Sequence, residues 1–434
     1  MQQKITGEVK ISPVISNITK KIKNVSTLKE KIEEFLEKSV SELSEVIFGG
    51  AINLEASDIH VEPKEKETKI RIRTDGILQE VTAFDLKPYQ AFLSRIKLLS
   101  GIKLNITDRP QDGRFSISIN KIVVEIRVST LPSEYGETIV LRILNPKTLV
   151  ELESLGLRKD LSAIFQAEIK KPNGMIIVTG PTGSGKTTTL YAFLKRVQKP
   201  EIKIITIEDP IEYHLEGISQ TQVAPKKGYD FASGLQSIMR QDPDVVLVGE
   251  IRDLETAQIA LQAALTGHLV FTTLHTNDAA GTVARLTNLG AEASNIASAI
   301  NMAIAQRLVR KVCKNCGKPV KISSLNLKKF KKALRKLPGG IKVPRLTQSL
   351  KIPQAKGCKH CNFTGFRGRT GIFEAFLVNE EMEKFILKEP SIAALRKEAI
   401  EKGMVTMQQD GLIKVLNGAT TVEEVERITG PIKK

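Results

Sequence analysis

Four apolar runs without polar alternation dominate the middle of the chain: MIIVTG (175–180), KIITIE (203–208), DVVLVGE (244–250) and LVFTTLH (269–275). A half-exposed strand alternates apolar with polar residues, whereas a strand buried on both faces does not. Segments of helical period separate the runs, so the pattern predicts an α/β fold, a parallel sheet covered by helices on both sides. At 434 residues there is material for two or three domains.

The first run leads straight into Gly180-Pro181-Thr182-Gly183-Ser184-Gly185-Lys186-Thr187-Thr188. This is G-x-x-x-x-G-K-[ST] between a strand and a helix, the setting in which glycines let backbone N–H groups turn inward around phosphate. Lys186 is expected to reach the β and γ phosphates of ATP, and the Thr187 hydroxyl to hold Mg2+. The third run delivers Glu250 to the carboxyl edge of the sheet, a magnesium or water-positioning group. Glu208, Asp209 and Glu212 crowd three carboxylates at the end of the second, an arrangement that repulsion makes costly without a cation nearby. His268 and His275 bracket the fourth. Core histidines bonded to backbone are the common case, and phosphate sensing is the sharper one.

Upstream, residues 28–52 carry apolar positions at helical spacing and are read as one amphipathic helix. KIRIR (69–73), Thr74-Asp75-Gly76 and ILQEV form a hairpin signal. FSISI (115–119) and IVVEIRV (122–128), around Asn120-Lys121, form a second; TIVLRIL (138–144) adds a strand, and a helix is expected near 85–100. The result is a smaller α+β domain ending near Asn145-Pro146. Beyond Ala291 a helix is expected up to Arg310, then a cysteine segment, then helices from 379 to 430.

The four cysteines form two pairs, Cys313/Cys316 and Cys358/Cys361, whose spacing suits a closed tetrahedral Zn2+ site of structural type. From 293 to 373 the chain holds 19 Lys or Arg and no Asp or Glu, which leaves the remainder close to neutral. A field of one sign attracts an anionic partner. No run of about 18 apolar residues exists and the first residues lack a signal-peptide core, so a cytosolic protein is expected.

IEDPIEY, VGEIRD and TGHLVFTTLHTNDAAG follow GPTGSGKTTT in an order that resembles the secretion ATPase superfamily, and within it the type II secretion and type IV pilus assembly branch. The resemblance extends to SDIHVEP (57–63), RPQDGR (109–114), RVSTLPSEYGE, VLRIL and the GC-x-x-C-N-F-T-G-F-R-G-R-T-G-I-F-E stretch. It implies a RecA-like P-loop ATPase domain preceded by a PAS-like α+β domain, with a tetracysteine subdomain and C-terminal helices. It also implies a homohexamer that drives an inner-membrane platform protein to assemble a pilus or pseudopilus. By position, Glu212 resembles the catalytic base, Glu250 the Walker B glutamate, and His268 and His275 the histidine box. Arg127 and Arg142 are similar to arginines that approach the γ-phosphate, with Arg109 and Arg114 as alternatives and solvent-facing strand arginines as the plain reading.

The expected division is 1–50 a tail and helix, 51–146 the α+β domain, 147–306 the ATPase core, 307–372 the zinc-binding basic subdomain and 373–434 a helical region. With only some 50 residues before SDIHVEP, docking is expected to use another surface, for which the basic segment facing an anionic membrane at the cytoplasmic side is the candidate. Two other readings fit parts of the sequence. A motor on nucleic acid fits the basic ribbon but finds only Phe330, Phe363, Phe366 and Phe373 there for base stacking. A non-hydrolysing ATP-gated subunit has no use for the carboxylate cluster.

Overall fold

The computed structural model describes residues 7–120, 122–146 and 150–432. Lys121 of the second hairpin turn, the start of the expected ATPase core at 147–149 and both extreme ends lie outside the described residues. Two compact units are present. One is made of the described residues of 1–148 with Cys313–Cys316 and Lys356–Arg367; the other holds the rest.

The first unit contains β1 (Glu8–Lys10), α1 (Pro13–Thr19), α2 (Val25–Phe35), α3 (Val40–Asn53), β2 (Asp58–Pro63), β3 (Thr68–Thr74), β4 (Ile77–Phe84), α4 (Leu86–Ser100), β5 (Gln111–Ile119), β6 (Ile122–Ser133) and β7 (Gly136–Leu144). The strands form one sheet in the order β1-β5-β6-β7-β2-β3-β4. Asp75 and Gly76 both take positive φ, 52° and 81°, which gives the β3–β4 turn the twist of its flanking strands. The helix expected over 28–52 is two helices. Ser39 caps α3 in a reciprocal box with Glu42, and this Ser-x-x-Glu signal divides the apolar stripe.

The second unit contains α5 (Lys159–Glu168), β8 (Gly174–Thr179), α6 (Lys186–Val197), β9 (Ile204–Glu208), β10 (Ser219–Gln222), α7 (Phe231–Met239), β11 (Val245–Val248), α8 (Leu254–Leu265), β12 (Leu269–Leu274), α9 (Gly281–Leu289), α10 (Ala293–Ala299) and β13 (Ile300–Val312). It continues through β14 (Lys318–Lys321), α11 (Ser324–Ala333), β15 (Lys351–Gln354), β16 (Phe366–Leu377), α12 (Glu380–Ile386), α13 (Ile392–Glu401), α14 (Met407–Leu416) and α15 (Val422–Thr429). Its main sheet runs β10-β9-β11-β12-β8-β13-β16. The four expected strands are β8, β9, β11 and β12, and they pair in parallel.

Alternate residues of each strand enter different cores. Met175 and Ile177 pack on one side of β8 and Ile176 and Val178 on the other. The helix expected up to Arg310 is corrected: after α10 the chain becomes β13, parallel to β8. Ile300, Met302, Ala303, Ile304 and Ala305 are all buried, and a strand covered on both faces has no period to distinguish it from a buried helix.

Candidate nucleotide and metal sites

The P-loop leaves β8 at Thr179 and enters α6 at Lys186. Gly180, Gly183 and Gly185 have φ of 151°, 77° and 90°, values a side chain would strain, so these positions need glycine. Lys186 Nζ donates to the carbonyls of Gly180 at 2.9 Å and Pro181 at 3.2 Å, which folds the ammonium back over the mouth of the loop. Ser184 Oγ is buried with no hydrogen-bond partner among the described residues. A buried hydroxyl left unpaired is costly, and here it belongs to the cradle itself; the loop fits a polyphosphate.

Adjacent strand ends are stitched to the loop. Thr179 Oγ1 donates to Leu274 O at 3.0 Å and accepts from Thr276 N at 2.8 Å. Thr273 Oγ1 donates to Gly249 O at 2.6 Å, and Gly249 N to Ile207 O at 2.8 Å. These contacts bring Glu250 beside His275, with Nε2 to Oε2 3.5 Å. Glu250 also acts electrostatically on Lys186, whose pKa burial lowers and Glu250 partly restores. Burial and Lys186 lower the pKa of His275, favouring the neutral ring. Arg252, two residues on, pairs with Glu250 and lies 3.7 Å from Asp209. Its place in this cluster was not drawn from the sequence, although its spacing from Glu250 was the available signal.

Glu208 faces inward. It accepts from Tyr191 on α6, from Thr206 Oγ1 at 2.6 Å and from Gln220 Nε2 at 3.2 Å, and burial raises its pKa against those donors. Gln220 in turn donates to Tyr213 O and accepts from Leu215 N, fastening the loop that follows Glu212. Glu212 is close enough to raise the Glu208 pKa. Of the two histidines only His275 joins the cluster. His268 precedes β12, its Nδ1 3.0 Å from Ala263 O, and the strand separates it from His275 by roughly 20 Å.

In the first unit, Arg114, Arg127 and Arg142 face one another across β5, β6 and β7, and the row continues to Asp58 and Arg73. Asp58 holds Arg142 Nε at 3.1 Å and Arg73 Nε at 3.4 Å, while Glu125 lies 3.7 Å from Arg114 and 3.8 Å from Arg127. Arg109 is exposed on the loop before β5.

The four cysteines converge with all Sγ atoms within 4.8 Å of one another. The separations Cys313–Cys358, Cys316–Cys361 and Cys358–Cys361 are 4.0, 3.7 and 3.8 Å. A tetrahedron with Zn–S bonds of about 2.3 Å has S–S edges of about 3.8 Å, so the donor set fits zinc. Desolvation opposes a thiolate at Cys358, but hydrogen bonds from the N–H groups of Cys361 and His360 and from the thiols of Cys361 and Cys316 outweigh it and bring the pKa down to about 7.

Comparison with known proteins identifies the chain's relatives. Residues 33–427 match the family model described as type II/IV secretion system protein. The type II secretion system ATPase E of Vibrio cholerae is 46% identical over 393 residues, 90% of this chain and 75% of that protein. The type IV pilus assembly ATPase PilB of Pseudomonas aeruginosa is 41% identical over 381 residues, 87% of this chain and 65% of that protein. Among solved structures, the pilus retraction motor PilT with bound ADP superposes with a TM-score of 0.58 at 26% identity, covering 89% of this chain and 96% of that one. The ATPase DotB of Legionella pneumophila shares the fold, with a TM-score of 0.64 at 22% identity over 89% of this chain and 94% of its own. On the family model and these relatives, the chain belongs to the type II/IV secretion system protein family and is one of its ATPases.

Proposed function

We propose that the chain is the motor subunit that powers assembly of a type IV pilus or a type II secretion pseudopilus. It works as a homohexamer on an inner-membrane platform protein, at the cytoplasmic face of the membrane. The observation that carries this reading is the convergence of Lys186, Glu250 and His275 at the carboxyl edge of one parallel sheet, around a loop shaped for polyphosphate.

The residues take these roles. The N–H groups of Gly180 to Thr188 and the Lys186 ammonium hold the phosphate chain of ATP. Thr187 and Glu250 would hold magnesium, which would supply positive charge to neutralise what develops on the phosphates. Glu212 takes the proton of the attacking water, and neutral His275 orients Glu250. Arg127 and Arg142 are, by the resemblance, the candidates to supply positive charge to the γ-phosphate. The tetracysteine cluster holds zinc as a structural clamp. No helix among the described residues is long and apolar enough to cross a membrane; the 293–373 basic segment is the candidate surface towards an anionic membrane.

The test is steady-state ATPase activity with nucleotide binding measured beside it. Lys186→Ala is expected to lose nucleotide binding, and Glu250→Gln to bind ATP while turnover falls by at least about a hundredfold. Undiminished turnover in both variants would remove the assignment, and stimulation by DNA with none by acidic vesicles would redirect it to nucleic acid.

A further inference from the structure

β13 runs beside the P-loop strand, and two of its residues flank the loop. Gln306 is buried, its Oε1 accepts from Thr189 at 2.7 Å, and its Nε2 stands 2.8 Å from where a Cβ on Gly185 would be. Arg307 serves the other end. Its Nη1 donates to Gln306 O at 3.0 Å and its Nη2 to Asn277 O at 2.9 Å. The same Nη1 stands 3.0 Å from where a Cβ on Gly180 would be, and Gly180 is the residue whose carbonyl holds Lys186 Nζ.

Guanidinium and ammonium therefore sit at one end of the loop, the end from which the P-loop lysine meets the β and γ phosphates. Like charges so placed repel, and Arg307 depresses the Lys186 pKa. Among the described residues no carboxylate forms an ion pair with Arg307. The nearby acids are engaged elsewhere: Asp278 with Arg396 at 3.2 Å, and Glu374 with the N–H groups of Ala279 and Met407. The guanidinium hydrogen-bonds only to neutral carbonyls, while Glu374 and Asp278 act on it from a distance and burial depresses its pKa against them; a phosphate oxygen is a far stronger acceptor for its planar fork.

We propose that Arg307 is a second cation for the γ-phosphate, supplied by the same subunit that provides the P-loop, and that the Asn277 carbonyl holds it ready when the phosphate is absent. The inference rests on nucleotide binding at residues 180–188. Because Asn277 follows His275 by two residues, the exchange of partners also reports phosphate occupancy to the loop after β12.

The experiment measures affinities of the full chain for magnesium–ADP and for a non-hydrolysable magnesium–ATP analogue by calorimetry. Arg307→Gln is expected to weaken the ATP analogue by about tenfold or more, the loss of one charge-assisted contact, while ADP stays within about twofold and so reports an intact fold. Arg307→Lys is expected to recover part of the preference. Equal loss of both nucleotides would make Arg307 a clasp for the 276–278 loop and overturn the proposal, as would no change in either. Failure of the unaltered protein to bind either nucleotide would overturn the site reading and this proposal with it.

Discussion

Glu208 and Glu424 are both buried, yet their surroundings push them in opposite directions. Three neutral donors cannot offset burial at Glu208, and its pKa rises. At Glu424 burial acts the same way but is overcome by Arg427, with Nε at 2.8 Å and Nη2 at 2.6 Å, and by Arg310, with Nη2 at 2.8 Å and backbone N at 3.0 Å. The outcome is a pKa of about 2. A depressed carboxylate stabilises the fold above its unfolded pKa, near 4.3, and loses that contribution as pH falls towards its folded value. Glu424→Gln should therefore cost about 3 kcal/mol at pH 7, with the deficit shrinking between about pH 4 and 2. Denaturant melts at both pH values check this, and an equal deficit at each would contradict it. The P-loop residues were legible in the sequence because backbone geometry demands glycine at fixed intervals. Arg252 and Arg307 were not, since their meaning lies in which atoms the fold places beside them.

Elements were legible where a second signal marked their ends, as the P-loop and the strand-end carboxylates do for β8, β9 and β11, and were not where an apolar run or stripe passed through a boundary unmarked. β3 and β4 alternate and their turn carries Asp-Gly, so the hairpin is read directly from the sequence; β13 is buried over most of Ile300 to Gln306, where its apolar run reads equally as helix. The α2–α3 pair was read as a single helix because its apolar stripe continues through the break. Their packing depends on Gly50, where an added Cβ would stand 2.4 Å from Leu28 Cδ1 and 3.1 Å from Ile22 Cδ1. Glycine to alanine inside a helix ordinarily stabilises by about 1 kcal/mol, but overpacking costs about 1–3 kcal/mol. Gly50→Ala should thus be neutral to destabilising by up to about 2 kcal/mol. A thermal melt that rises by several degrees would show that α2 can move aside.

At the scale of the whole molecule, the cysteine segment was legible as chemistry but not as architecture. Its spacing announced a metal centre, whereas nothing in the sequence announced that Cys313–Cys316 and Lys356–Arg367 belong with the first unit. Asn362, held at a positive φ of 51° in the second knuckle, accepts from Val25 N at 2.7 Å and so helps start α2. Stripping zinc with a chelator should lower the melting temperature by several degrees and open the knuckles to protease; identical melting and cleavage with and without chelator would leave the cysteines no structural role. The same arrangement makes order of synthesis matter. The first unit cannot be completed until residue 367 has been synthesised, by which time most of the second unit already exists. A chain truncated before the knuckles would carry every P-loop residue and an unfinished first unit.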